Sequence, residues 1–253
     1  MEKNVPQVSI VTPSFNSKQY VLDAINSVKK QSFHDWEMII VDDCSNDGSQ
    51  SFIREIIADD SRISLICLTQ NKGPAFSRNC AISQAKGEYI AFLDSDDLWL
   101  ESFLSSMVSF MQKNNFDFAF SSYKRMNEDF TISYSDFIVP EKVCYKDILS
   151  NCPISSLTAI YNKKRIGKVY LKDFEREDYT LWLQILRKIP YGYGIKEPLA
   201  IYRIRSDSRS RNKLLMAKYQ WRIYRECEGL SFLKSLFFFL RYILSGIKKY
   251  KGI

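Results

Sequence analysis

The sequence predicts an α/β fold: a mainly parallel sheet flanked by helices, followed by a basic helical tail. Three observations predict it. Short apolar runs alternate with segments of helical periodicity through the first hundred residues. The first, second and fourth of these runs end in polar loops rich in Asp, Asn, Ser or Pro. The last fifty residues then change character and become helical and basic. Strands buried on both faces read as continuous apolar runs, and helical crossovers between them make neighbouring strands parallel.

The elements follow in order. Residues 8–11 read as a buried strand, broken by the loop Thr12-Pro13-Ser14-Phe15-Asn16. Ser17 can cap a helix whose apolar positions Val21, Leu22, Ile25 and Val28 follow helical spacing. Residues 38–41 form a second strand, ended by Asp42-Asp43-Cys44-Ser45-Asn46-Asp47-Gly48, and a helix carrying Phe52, Ile53, Ile56 and Ile57 follows. A strand over 63–68, a helix over 75–85 and a strand over 89–93 complete the pattern, which stops at Asp94-Ser95-Asp96-Asp97. A helix is expected over 99–111 and a strand near 118–120. After a less regular stretch, a helix beginning near Asp178 carries Leu181, Trp182, Ile185 and Leu186.

Length and composition suit one α/β domain, or such a domain with an appendage. The expected division is a catalytic domain over 1–202, with halves at about 1–97 and 98–202, and a tail over 203–253. From residue 203 onward there are thirteen Lys/Arg against three Asp/Glu, a net of +10, while the preceding residues carry a net of −3. That asymmetry argues against a nucleic-acid surface spread over the whole chain. It points to one local anionic partner, a phosphate or a membrane face. His34 is the only histidine, so a His-rich zinc site and a triad using another histidine are excluded. The six cysteines are scattered and the N-terminus has no signal-peptide pattern, so reduced, mostly buried thiols in a cytoplasmic protein are expected.

Ligands of open α/β sheets bind at the carboxyl ends of the strands. The Thr12 loop, the Asp42-Asp43 loop and the Asp94 cluster all sit there, and three polar clusters in one crevice make a site. Each has a plain structural alternative. Asp42 or Asp43 could cap a helix or shape a turn. The acidic triplet could favour the start of the 99–111 helix, and Asp178 could cap the helix after it. Arg78 could form a surface salt bridge, and Trp182 could be core or could stack on a sugar.

At these residues the sequence resembles glycosyltransferase family two, the inverting enzymes with a GT-A fold. The matching pieces occur in the family's order from Val8 to Ser210: the first strand and its loop, residues 41–48, Asn71-Lys72-Gly73 through Arg78-Asn79, residues 87–97, Glu177-Asp178 with Leu181-Trp182-Leu183, and residues 198–203. The resemblance implies that Thr12, Pro13 and Ser14 lie beside the base of a nucleotide-sugar, that Asp43 accepts from its nucleoside, and that Arg78 lies on the donor side. Asp96 is implied as ligand of Mn²⁺ or Mg²⁺, with Asp94 facing ribose or metal-bound water and Ser95 among the residues that bind the donor nucleotide. Hard cations prefer oxygen ligands and often use only one or two carboxylates plus substrate phosphates. Asp178 is implied as the base that deprotonates the acceptor hydroxyl, with Glu177 and Trp182 as acceptor-side contacts. Arg203 and Arg205 match a segment that often has His at position 205. Arginine cannot ligate a metal, but it can hold a diphosphate bidentately, and Arg209 and Arg211 extend the same basic run.

The tail from 230 to 247 is rich in Phe and Leu yet contains Lys234 and Arg241. Each would cost about 2.5–3.5 kcal/mol near a bilayer centre, which disfavours a spanning helix. Lys234, Arg241 and Lys248 are seven apart and form one cationic stripe on an otherwise apolar helix, expected over 230–250. Such a helix lies in the plane of an anionic membrane, or packs on protein.

The resemblance therefore implies a UDP-hexose donor, glucose or galactose, a β-linked product, and a polyprenyl-diphosphate-linked GlcNAc or GalNAc acceptor. The setting would be O-antigen, lipopolysaccharide or another surface polysaccharide, at the inner face of the bacterial cytoplasmic membrane. Two other classes compete. A sugar nucleotidyltransferase would show a glycine-rich loop after its first strand, and Thr12 to Asn16 has no glycine. A non-catalytic membrane-associated binding protein leaves the acidic clusters unexplained. Oligomeric state is not legible.

Overall fold

The computed structural model describes residues 5–205 and 213–250. Among them, one ten-stranded sheet runs through the molecule. Its first half is parallel: β1 (Val8–Ser14) lies between β2 (Trp36–Asp42) and β4 (Tyr89–Phe92), and β3 (Ile63–Cys67) adds to β2. The crossovers are α1 (Val21–Lys29), α2 (Ser49–Ile56) and α3 (Pro74–Gln84). Beyond β4 the pairing becomes mixed. The short β5 (Leu98–Trp99) and α4 (Phe103–Asn114) lead to the long β6 (Phe118–Asn127), followed by β7 (Ser133–Phe137), β8 (Lys142–Val143) and α5 (Tyr145–Ser150). Then come β9 (Ile160–Asn162), α6 (Lys163–Ile166), α7 (Glu177–Lys188) and β10 (Gly192–Ile204). The strand β9 joins the halves, antiparallel to both β4 and β6, and β10 runs parallel to β6.

Side-chain alternation sends neighbouring strand residues to opposite faces, and each face has its own core. Ile10, Met38, Ile40 and Ala91 pack under α1, α2 and α4 with Ile25, Ile53 and Met107. Val11, Ile39, Val41, Ile90 and Phe92 pack under α3 and α7 with Ile82, Leu181 and Trp182. This second core also takes in Ile223 and Tyr224 from the tail.

Four local readings are corrected. Thr12, Pro13 and Ser14 belong to β1, opposite Ile40, Val41 and Asp42. Val11 turns its carbonyl to Leu93 beyond β4, and Ser14 turns its own to Asp43 beyond β2. Pro13 therefore points to the β4 side, where pairing has already ended at Phe92, so its missing N–H costs no ladder bond. Ser17 does not cap α1: its carbonyl accepts from Tyr20 and Val21, and its hydroxyl bonds that of Ser14 at 2.7 Å. Trp99 is in a strand, and α4 starts at Phe103 with no acidic residue in its first turn, so Asp94–Asp97 do not serve that helix. The six cysteines are free as expected, but all are half-buried rather than buried.

The tail forms α8 (Lys213–Arg222), a π-helical turn over Ile223–Cys227, and α9 (Phe232–Tyr250). It is docked, with Tyr224 and Ser235 fully buried and Trp221 set edge-on against Phe232 and Phe239. The outer face of α9 stays bare: Leu233 is 77% exposed and Phe237 53%. Arg209 and Arg211, and the side chain of Lys248, lie outside the described residues. Among the described residues no helix is long and apolar enough to cross a membrane.

Candidate active site

The parallel register brings the carboxyl ends of β1, β2 and β4 to one edge. Asp42 and Asp43 stand there for different reasons. Asp42 is fully buried and closes the following turn, accepting from the Ser45 amide at 2.9 Å, the Ser45 hydroxyl at 2.5 Å and Gln50 at 2.7 Å. Asp43 reaches sideways and accepts from the amides of Lys72 and Gly73 at 2.7 and 2.8 Å. Gly73 has φ 85 and ψ 166, a conformation open only to glycine, and Pro74 then starts α3. Asp43 thereby fixes the entry to the helix that carries Arg78. Each of its oxygens keeps a second lone pair. On β1, Thr12 is buried with a hydroxyl that has no hydrogen-bond partner among the described residues.

Arg78 organises the centre. Its side chain is 7% exposed, and it holds Asp94 Oδ1 at 2.6 Å with Nη2 and Glu177 Oε1 at 2.6 Å with Nη1. Burial works against the charge, but Asp94 and Glu177 outweigh it and hold the guanidinium above its ordinary pKa. The surface salt bridge that the sequence left open is thus a buried bridge between the end of β4 and the start of α7. Asp94 also accepts from Ser156 at 3.3 Å, and Ser95 is buried beside it.

Three neighbouring carboxylates crowd this edge. Burial, then Asp94, raises the pKa of Asp96, with Arg205 opposing at 3.1 Å. Asp97 is pushed well above the carboxylate range by burial, then by Asp96 and Asp94, and it accepts from the Arg203 amide at 2.8 Å. Among the described residues no group of three His, Cys, Asp or Glu is arranged to hold a metal. Asp96 and Asp94 nevertheless fit a hard cation that takes its other ligands from a diphosphate, because their mutual repulsion is what such a cation relieves.

The helix α7 begins at Glu177. Its N-cap is Arg176, in the left-handed conformation at φ 60, so Asp178 lies inside the first turn and is not the cap. Asp178 accepts from the Tyr179 amide at 2.7 Å. Burial, then Glu177, raises its pKa, against Arg176 and Arg78. A carboxylate raised in this way is a better proton acceptor near neutral pH than an ordinary aspartate.

Two expected contacts are spent elsewhere. Trp182 is fully buried, edge-on to Phe92 at 5.5 Å and stacked on Phe118 at 5.4 Å, so it cannot meet a sugar. Arg203 is buried, and its guanidinium bonds the carbonyls of Asp96 and Glu128 at 2.8 and 2.6 Å and Asp23 at 2.8 Å. It braces the site, and Arg205 is the arginine that meets Asp96. Tyr20, under both guanidiniums, and Ser156 were not singled out from the sequence. They reach the site only through the fold.

Two clefts elsewhere, one lined by Lys86, Glu88 and Lys163 and one by Ser105, Phe110 and Lys196, contain none of these carboxylates.

Comparison with known proteins agrees with this geometry. Residues 9–168 match the family "Glycosyl transferase family 2". The chain is 39% identical to "Putative teichuronic acid biosynthesis glycosyltransferase TuaG" of Bacillus subtilis (strain 168), covering 96% of this chain and 97% of the other. It is 35% identical to "UDP-Glc:alpha-D-GlcNAc-diphosphoundecaprenol beta-1,3-glucosyltransferase WfgD" of Escherichia coli, covering 96% and 94%. Among solved structures, S. aureus TarS 1-349 in complex with UDP-GlcNAc superposes with a TM-score of 0.74 at 21% identity, covering 94% of this chain and 71% of that one.

Proposed function

The chain belongs to glycosyl transferase family 2 and has the GT-A fold, and from that premise we propose that it transfers a hexose from a UDP-sugar to a lipid-diphosphate-linked saccharide with inversion. The observation that carries the reading is the Arg78 bridge, which sets the Asp94–Asp96 edge and the Asp178 carboxylate around one cation. Family membership sets aside the nucleotidyltransferase alternative.

In this reading the nucleoside lies over the ends of β1 and β2. Thr12, Pro13 and Ser14 line the strand end through their backbone, and Asp43 accepts from base or ribose. Arg205 faces the diphosphate. Asp96, with Asp94, would hold Mn²⁺ or Mg²⁺, which when bound neutralises charge on the departing nucleoside diphosphate. Asp178 takes the proton of the acceptor hydroxyl as its oxygen bonds to the anomeric carbon, and the carbon–phosphate-oxygen bond breaks on the opposite face. Glu177, already tied to Arg78, lies beside the incoming hydroxyl. The relative WfgD is named for transfer of glucose from UDP-Glc to a GlcNAc-diphosphoundecaprenol, which supports glucose and a GlcNAc acceptor of this class, and surface-polysaccharide synthesis as the setting.

We infer further that the bare face of α9 seats the enzyme peripherally on an anionic cytoplasmic membrane surface. Leu233, Leu236, Phe237, Leu240 and Leu244 are exposed together with Lys234 and Arg241, and α9 contains no acidic residue. Apolar contact plus cationic attraction is the recipe for an in-plane helix. Sedimentation with phosphatidylglycerol vesicles should pull down the protein, and phosphatidylcholine vesicles or Phe237→Ser should weaken it. Equal recovery in all three would contradict the docking.

The transfer itself is tested by incubating the protein and Mn²⁺ with UDP- and GDP-sugars and a synthetic GlcNAc- or GalNAc-diphosphate-lipid. One-hexose gain by the acceptor, with UDP released from one donor, is expected. Release of pyrophosphate would contradict the reading, as would failure with every pair.

A further inference from the structure

The segment that carries Glu177 and Asp178 is fastened from outside by the tail. Lys172 Nζ donates to the Cys227 carbonyl at 3.3 Å. Arg222 pairs with Glu175 at 2.5 Å and lies over the Phe174 ring at 4.9 Å. Between these contacts sits Gln220 of α8, 1% exposed. Its side-chain oxygen accepts from Arg176, and its amide nitrogen donates to the Tyr179 hydroxyl at 3.0 Å. One buried amide thus grips the residue before Glu177 and the residue after Asp178. Tyr179 is in turn anchored, donating to the Ile148 carbonyl at 3.1 Å.

Arg176 gives this grip a purpose. Its left-handed backbone, φ 60 and ψ 51, is one that a non-glycine residue keeps only when its surroundings hold it. Its guanidinium is held by Gln220 and by the Tyr179 ring 4.8 Å away. Functional carboxylates depend on such supporting bonds for their orientation.

We propose that Gln220 is a positioning residue for the transfer step: through Arg176 and Tyr179 it sets the start of α7, and with it the direction of the Glu177 and Asp178 carboxylates. The inference rests on the reading of Asp178 as the base. Gln220 belongs to the same helix as Trp221, which packs against Phe232 and Phe239 of α9. The carboxylate-bearing segment and the bare apolar helix therefore share one support.

The charged and titratable groups facing Asp178 are Glu177 and Arg176 from its own segment, Arg78 from α3, and the Cys152 thiol from the loop after α5. Burial pushes that thiol up to about 12, so it stays neutral. Releasing Arg176 takes one of two cations away from Asp178. Its carboxyl then titrates at higher pH.

Steady-state kinetics with UDP-glucose and GlcNAc-diphosphate-lipid, or the donor that the wild type turns over, test the proposal. Gln220→Ala should lower kcat about 10–100-fold, leave the Kd for UDP within about twofold, and move the acid limb of the pH profile upward. Gln220→Glu keeps the acceptor for Arg176 but loses the donor to Tyr179, so it should restore kcat only in part. Arg176→Gly keeps the left-handed backbone without the tether, so it should fold like the wild type and still show the shifted limb. An active wild type with Gln220→Ala at its rate and an unmoved limb would overturn this proposal alone. So would losses in kcat and UDP binding that run in parallel and are not rescued by Gln220→Glu. A wild type inactive with every donor would overturn the transferase reading and this proposal together.

Discussion

Arg78 and Glu177, ninety-nine positions apart, are joined by an ion pair of 2.6 Å, with the arginine almost fully buried. The other branch of the same guanidinium holds Asp94, also at 2.6 Å. This cation ties the carboxyl end of β4 to the helix that carries Asp178. Replacing it by Met leaves two half-buried carboxylates without their partner, a loss of about 1–3 kcal/mol. Denaturant unfolding should show it. Arg78→Lys keeps the charge but cannot fork to both acids. It should fold more stably than Arg78→Met and still lose about a hundredfold in kcat/KM.

In the proposed mechanism Asp178 sets the acid limb. Burial, then Glu177, places its pKa above the ordinary aspartate value of 3.8. Only the ionised form accepts a proton, so kcat/KM should fall as pH falls through that raised value. The sign for stability is opposite. Between 3.8 and the raised value the folded carboxyl binds more protons than the unfolded one, so this group's contribution to stability declines as pH rises through the window. Asp178→Asn should therefore be at least as stable as the wild type at neutral pH. A less stable Asn variant would contradict the assignment.

Trp182 acts through packing. Trp182→Ala empties the core between Phe92 and Phe118 and should cost about 3–5 kcal/mol in unfolding free energy. Trp182→Phe should recover most of it. In neither variant should the acceptor KM of the folded fraction move, since no sugar can reach this side chain.

Chelation should stop transfer, and Mn²⁺ or Mg²⁺ should restore it. Asp96→Asn should raise the metal concentration for half-maximal rate by at least the ~10–100-fold that even outer-shell changes cost. A rate independent of chelator would contradict the assignment of Asp96 as ligand.

Much of the first half of the sheet was legible because its signals are local. The apolar runs at Val8, Met38 and Tyr89, each followed by a polar break, predict strands whose ends meet, and β1, β2 and β4 do so. Boundaries went astray where the fold overrode a local signal. Pro13 reads as a strand breaker, but the neighbour on its N–H side stops two residues short. Asp94 to Asp97 suit a helix start, yet β10 captures Leu98 and Trp99 as a strand first. The second half of the sheet was less legible because β6, β9 and β10 pair across long separations that leave no periodic trace. The same holds for side chains. Whether Arg203 or Arg205 faces the site depends on Asp23 and Glu128, both remote in sequence. Gln220 reaches Tyr179 from another helix, forty-one positions away.

The central claim is that Asp178 deprotonates an acceptor hydroxyl for hexose transfer from a UDP-sugar. The most direct measurement follows acceptor mass with UDP-glucose and GlcNAc-diphosphate-lipid for wild type and Asp178→Asn, with UDP affinity measured in parallel. The account predicts a one-hexose gain in the wild type, a rate about 10²–10⁴-fold lower in the variant, and the same UDP affinity in both. Transfer by Asp178→Asn at the wild-type rate would contradict it.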